Sequence, residues 1–166
     1  KNDNLAWGSS FSFVDDQDLY FEKLNPQNNK EYLSPTGYKE FSTEKKLIKV
    51  KNNATRSFLV KRTENRVIIP HEIYGMQSIV PQGFLVSLAW TGFKRNDTTI
   101  ETFLRLMSTT KVKDFKAKMP RNNSFNLIFV IADESEVTSL FIGDAPKRRK
   151  ENETRGQVIA LGWRTE

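Results

Sequence analysis

The sequence predicts an α+β fold that is mainly antiparallel β with one principal helix. Two kinds of pattern carry this. Short apolar runs of four to eight residues, separated by clusters of Asn, Asp, Ser, Pro and Gly, recur along most of the chain in the manner of strands between turns. A single stretch, residues 98 to 108, instead repeats its apolar residues at helical spacing. With 166 residues, 37% of them hydrophobic and twelve of them Phe, the chain can fill one domain-sized core and no more. No internal repeat or low-complexity linker divides it.

Taken in order, the elements justify this reading. From Leu5 to Glu22 a strand feeds an acidic turn. Phe11 and Phe13 alternate with Ser10 and Ser12, which predicts a strand with one buried face, and Asp15, Asp16 and Asp18 then crowd three like charges into four positions. That crowding reads in two ways, as a solvated turn with an Asp capping the next element, or as a hard cation held by carboxylate and carbonyl oxygens. Asn25 to Lys30 and Ser34-Pro35-Thr36-Gly37 are turns, the second leading into Tyr38 to Phe41. Leu47 to Val50 and Ser57 to Lys61 form a hairpin across Asn52-Asn53-Ala54-Thr55, its outward Lys and Arg guarding against edge pairing. His71, the only histidine, has no second histidine or cysteine near it, so it reads as a satisfied or exposed side chain rather than a base or ligand. Phe84 to Trp90 lacks alternation and is expected to be buried on both faces. Asn96-Asp97 introduces the helix, in which Thr98-Thr99-Ile100-Glu101 fits a capping box and Ile100, Phe103, Leu104 and Met107 form the expected apolar face. Val112, Phe115 and Met119 mark a shorter helical turn ended by Pro120. Phe125 to Ile131 is a buried strand, with Val137 to Ile142 as its antiparallel partner across Asp133 to Glu136.

Composition narrows function. The chain has 26 basic and 20 acidic residues, a net charge of +6, and no cysteine, which excludes a disulfide scaffold, a thiolate metal site and a cysteine nucleophile. The densest basic run, Lys147-Arg148-Arg149-Lys150, contains no aromatic for base stacking and is followed by Glu151 and Glu153, so it reads as a solvated loop and not as a nucleic-acid site. No apolar run approaches the roughly 20 residues of a membrane span, and no signal-peptide pattern opens the chain. Four N-x-S/T sequons, at Asn53, Asn96, Asn122 and Asn152, fall in predicted loops. Walker, dinucleotide-binding and zinc-protease motifs are absent from the sequence.

Several segments together resemble the penicillin acylase family of N-terminal-nucleophile amidohydrolases. Ala6-Trp7-Gly8-Ser9-Ser10, followed by Asp15-Asp16-Gln17-Asp18 and Glu22-Lys23-Leu24, resembles the family's A/S-W-G-S-T segment, D-D-x-D and acidic-aromatic tail. Lys49-Val50-Lys51 with Lys61-Arg62-Thr63 resembles its V-K-G and x-R-T strand pair. Ser87-Leu88-Ala89-Trp90-Thr91-Gly92 resembles its S-L-R-W-T-G segment, and Ala132-Asp133 with Gly143 and Pro146 its Y-A-D, G and P pattern. The chain departs from the family after Thr63, where Glu64-Asn65-Arg66 stands in place of His-Gly-Pro; Asn65 at a positive φ would preserve that turn.

The resemblance implies that residues 1–166 are a single partial domain, a middle piece of the nucleophile-bearing chain within an αββα sandwich. Family members cleave linear amides with an N-terminal Ser whose α-amino group is its base. That serine would lie upstream of Lys1, so any targeting signal would too, and the piece alone is expected to hydrolyse nothing. Carried across residue by residue, the resemblance implies that the Phe11 backbone N–H serves an oxyanion hole, and that Ser9, Phe11, Phe103 and Leu127 line an acyl-side pocket; for Phe103 and Leu127, core packing is the alternative. It implies a structural calcium held by Asp15, the Gln17 carbonyl and Asp18. The expected function is part of an acylase acting on penicillins, acyl-homoserine lactones or similar N-acyl compounds, partnered by the remaining segments of the same acylase and periplasmic or secreted. The alternative is a non-catalytic structural or binding subunit descended from that family.

Overall fold

The structure, a computed structural model, describes residues 1–71, 75–93, 96–119, 124–148, 150 and 156–164. The expectations for Pro120, Arg149, Glu151, Glu153 and the sequons at Asn122 and Asn152 lie outside these residues. In chain order the strands are β1 (Ala6–Phe11), β2 (Gln17–Asn25), β3 (Asn28–Ser34), β4 (Gly37–Glu40), β5 (Ser42–Ile48), β6 (Arg56–Arg62), β7 (Val67–Ile69) and β8 (Phe84–Trp90). Two helices come next, α1 (Thr99–Ser108) and α2 (Val112–Lys118), and then β9 (Leu127–Ala132), β10 (Val137–Ile142) and β11 (Ala160–Leu161). The chain divides into two compact units, one of residues 1–16 and 91–147, the other of residues 17–90 and 148–166.

The first unit is a three-stranded antiparallel sheet in the order β1-β9-β10, with the two helices on one face. Phe129, Ile131 and Ile142 point from that face into a core with Leu5, Leu106, Val112 and Phe115. The opposite face carries Ile128, Val130 and Phe141, which are exposed; β9 is therefore buried on one side, not two. A single carboxylate ties the sheet to the start of α2. Asp133 Oδ2 accepts the Val112 N–H at the start of α2, while its Oδ1 accepts the Ser135 N–H, the Ser135 hydroxyl and the Glu136 N–H in the β9–β10 turn. These donors, led by Val112, hold its carboxyl down to about 2, as hydrogen bonds to an ionised carboxylate should.

Two expectations fail here. Helix α1 buries Thr99, Thr102 and Leu106 and half-buries Phe103, whereas Ile100, Leu104 and Met107 are exposed. Thr98, at the N-cap, makes no side-chain cap bond; Asp97, one residue earlier, instead accepts the Thr99 N–H, the Thr99 hydroxyl and the Ser124 N–H on its Oδ1, drawing Thr99 inward and setting the rotation of the helix. Phe11 and Phe13 are likewise exposed, at 63% and 91%. Regular strand ends at Phe11, and Phe13 sits in the left-handed region at φ 55°, so the two phenyl rings do not share a buried face.

The second unit is a sheet in the order β4-β3-β2-β8-β7-β6-β5, antiparallel throughout that order, with β11 pairing β2 in parallel. Central β8 bears out its reading: Val86 and Ser87, adjacent and so on opposite faces, are both fully buried. The β5–β6 hairpin forms, from Ser42 opposite Arg62 to Ile48 opposite Arg56, but β5 begins five residues before the expected Leu47 and ends at Ile48, leaving Lys49 and Val50 outside it. The turn at Glu64-Asn65-Arg66 survives through a Thr63 N–H to Arg66 carbonyl bond of 3.0 Å, but without a positive φ at Asn65; among described non-glycine residues that geometry is found at Phe13 and Asn52. Tyr32 stacks on Phe41, and Phe84 packs between Phe21 and Trp163.

Two substitutions test these supports. Asp133 is held below its unfolded value, so it stabilises the fold above the ordinary carboxyl range and that contribution is lost as pH falls through about 2; Asp133→Asn should flatten the acid limb of an unfolding-versus-pH curve between about pH 4 and that point. At Gly143, φ is 144° and an added Cβ would lie 2.1 Å from Asn126 Oδ1. Gly143→Ala should cost on the order of 3 kcal/mol, measured by urea denaturation, and an unchanged midpoint would contradict the close approach.

Candidate functional site

The register of β1 against β9 builds the site. Phe11 lies opposite Leu127 and Ser9 opposite Phe129. Alternation along the strand puts Trp7, Ser9 and Phe11 on the same face as Leu127 and Phe129, the face that carries the helices. Phe103 of α1 meets Phe129 edge-on, ring centroids 5.7 Å apart, and both Phe103 and Leu127 pack on the core. Ser9, Phe11, Phe103 and Leu127 thus share one face, with Phe103 and Leu127 half-buried and Ser9 and Phe11 exposed.

Backbone geometry settles where the Phe11 N–H points. The Ser12 N–H donates to the Asn126 carbonyl at 3.0 Å, one step beyond the Phe11–Leu127 pair. In an antiparallel ladder, N–H groups alternate between the partner strand and the opposite side. Ser12, Ser10 and Gly8 therefore direct their N–H groups at β9, and Phe11, Ser9 and Trp7 direct theirs outward. Because β1 is the edge of its described sheet, the Phe11 N–H faces away from every strand of that sheet.

The chain beyond β1 is tied down tightly. The Ser12 hydroxyl also donates to the Asn126 carbonyl, and Asn126 Nδ2 donates to Asp16 Oδ2 at 2.7 Å. Asp16 returns a carbonyl to the Thr91 N–H. Sequence reasoning misses Asn126; the trace it leaves there is Gly143, whose backbone closely approaches its side chain.

The residues expected to ligate calcium are distributed between the units. Asp15 is exposed and belongs to the first, while Gln17 and Asp18 open β2 in the second. Carbonyl groups of β2 alternate too: that of Phe21 accepts the Gly162 N–H beside β11, so the Gln17 carbonyl, four residues earlier, faces the same side. Asp18 is 8% exposed. Arg148 meets it with Nε at 3.2 Å from Oδ1 and 3.1 Å from Oδ2, and with Nη2 at 3.0 Å from Oδ1.

Four residues along the same face of β2, Glu22 is fully buried. The Ser87 hydroxyl donates to its Oε1 at 2.6 Å, and Arg66 Nε forms an ion pair with the same oxygen at 3.1 Å. Burial raises the Glu22 carboxyl, and Arg66 and then Ser87 oppose that rise without cancelling it. Between the two acids, Tyr20 lies under the Arg66 guanidinium at 4.4 Å, its phenol raised chiefly by burial and then by Asp18. Gly162 closes the cluster, since a Cβ there would fall 2.3 Å from Glu22 Oε2. The same unit holds a mainly apolar cavity of about 550 Å³ lined by Leu19, Ile69, Met76, Leu88 and Val158 among others.

No curated protein matches the chain. Among solved structures it is similar over 98% of its length to a thermostable penicillin G acylase from Alcaligenes faecalis, with a TM-score of 0.77 and 21% identity, and it spans 28% of that acylase chain. This likeness shows the fold, that of the N-terminal-nucleophile hydrolases. The match to the family described as Penicillin amidase runs over residues 1–166, and the chain belongs to that family.

Proposed function

We propose that the chain is the part of an amide-cleaving acylase that supplies one oxyanion-hole donor, the Phe11 N–H, and one wall of the acyl pocket. The observation that carries this is the outward direction of that N–H at the edge of β1, beside Ser9, Phe11, Phe103 and Leu127 on one face. When a nucleophile attacks an amide carbonyl, the oxygen becomes an anion, and a donor already aimed at that position stabilises it without reorganisation. Collapse of the intermediate expels the amine, and water then releases the acid. The nucleophile belongs to other segments of the same acylase, in the periplasm or outside the cell.

The wall is apolar apart from Ser9, which suits the acyl side of penicillins, acyl-homoserine lactones or related N-acyl compounds. The Phe11 phenyl ring projects from this face opposite Leu127 and so restricts the bulk of the acyl group. Loss of His-Gly-Pro in favour of Glu64-Asn65-Arg66 supports the other reading, a non-catalytic subunit of the same descent. The two readings part at one experiment.

In the complete protein, Phe11→Pro removes the N–H, and proline is tolerated at an edge position whose N–H faces outward. It should lower kcat/KM by about 10²–10³-fold on N-acyl anilides, with circular dichroism unchanged. Phe11→Ala keeps the donor and should retain turnover while admitting bulkier acyl groups. Equal turnover by wild type and Phe11→Pro would reject the donor role, and absence of hydrolysis across a panel of aromatic and straight-chain acyl anilides would establish the non-catalytic reading.

A further inference from the structure

We propose that Arg148 supplies from within the chain the positive charge that balances Asp18, so that this acidic turn is held without calcium. The argument starts from burial. A carboxylate that is 8% exposed cannot rely on water and needs either a bound cation or a charged side chain. Arg148 fills that need with a fork, both carboxylate oxygens taking hydrogen bonds from Nε and Oδ1 taking a further one from Nη2. The planar guanidinium matches a carboxylate in two directions at once, which a lysine could not do. Among the described residues of the basic run, Arg148 is the one that turns inward: Lys147 and Lys150 are exposed, while the Arg148 side chain retains 23% of its surface.

The neighbouring chemistry obeys the same plan. Asp18, Tyr20 and Glu22 point to one face of β2, and Glu22 has its own guanidinium in Arg66. Two carboxylates therefore meet two guanidiniums, and the row is neutral. Calcium requires roughly six to eight oxygens, and at Asp18 the dication would lie against a guanidinium that already engages both oxygens of its ligand. Among the described residues, no group of three or more His, Cys, Asp or Glu is arranged to hold a metal ion. The residues as placed fit an internal ion pair and do not fit a calcium site at Asp18. Charge balance of this kind stands whether or not the complete protein is catalytic.

The test compares the complete wild-type protein with Asp18→Asn, Arg148→Met and the double variant, by melting temperature in EGTA and in millimolar calcium chloride. The first readout is the calcium-induced rise in the wild type less that in Asp18→Asn. A difference indistinguishable from zero is expected, and a wild-type rise that Asp18→Asn diminishes would overturn the proposal. The second readout is the ion pair itself. Arg148→Met keeps the aliphatic stem but strands a buried carboxylate, so it should lower the melting temperature by several degrees, and adding Asp18→Asn should restore most of that loss. An Arg148→Met protein as stable as wild type would also overturn the proposal. Should Arg148→Met fail to fold, calorimetric titration of wild type and Asp18→Asn with calcium chloride decides alone: equal stoichiometry supports the internal pair, and one site fewer in Asp18→Asn refutes it.

Discussion

The pairing of β1 with β9 is the constraint on which the functional geometry depends. Side chains and N–H groups both alternate along a strand, so one choice of register fixes which residues meet the helices and which amides face outward. A slip of one residue would put Ser10 and Gly8 in the places of Phe11 and Ser9 and turn the Phe11 N–H into the ladder. The double bond from Ser12 to the Asn126 carbonyl, through N–H and hydroxyl, holds the register just past the end of β1. Asn126 is itself placed by its bond to Asp16 and by the absence of a side chain at Gly143. The acidic turn thus acts on the candidate oxyanion donor through backbone position rather than charge.

The protein meets the cost of its acids in two ways. In the first unit, Asp133 and Asp97 are satisfied by several backbone N–H groups and hydroxyls each, and the resulting stabilisation of the charged form lowers both carboxyls. In the second, Asp18 and Glu22 lie deeper, and guanidiniums reach them from residues distant in sequence. These two arrangements differ in consequence. A capping carboxylate can lose one donor and lean on the others, whereas removing the partner of a buried ion pair leaves an uncompensated charge, typically costing about 3–5 kcal/mol. At Glu22 desolvation still prevails, and its carboxyl lies above the ordinary value despite Arg66 and Ser87.

Strand identity was legible in the sequence because period-2 patterns and turn residues act locally; central β8 and the β9–β10 pair form where the pattern puts them, and the β5–β6 hairpin forms with its first strand shifted toward the N-terminus. Facing was less legible. The stripe of Ile100, Leu104 and Met107 outweighs Thr99 and Thr102 on any hydropathy scale, yet the bonds of Asp97 to Thr99 and Ser124 turn the threonines inward. Phe11 and Phe13 mislead for a related reason, since alternation says nothing of where a strand ends, and Phe13 adopts a left-handed conformation unusual for a bulky side chain. The ion pairs are hidden altogether. Arg148 is 130 residues from Asp18, and within a basic run nothing local marks one residue as half-buried. Arg66 stands in plain view as part of a lost His-Gly-Pro, where the sequence draws attention to the missing imidazole instead of the guanidinium that reaches Glu22. A carboxylate at an inward strand position is the available signal, because a Glu in phase with buried residues requires a partner somewhere.

The separation of backbone from side chain at Phe11 explains how this chain can carry a large ring at a position proposed for catalysis. Donor direction depends on register, which Ser12, Asn126 and Gly143 enforce irrespective of residue 11. The volume of the proposed acyl pocket would depend instead on what projects from the helix-bearing face, where Phe11 stands opposite Leu127. On the proposed reading, substitution at residue 11 would alter which acyl group fits without moving the hydrogen proposed to meet the oxyanion, provided the new residue is not proline. A side-chain donor would not allow this, since there specificity and transition-state stabilisation would reside in the same atoms.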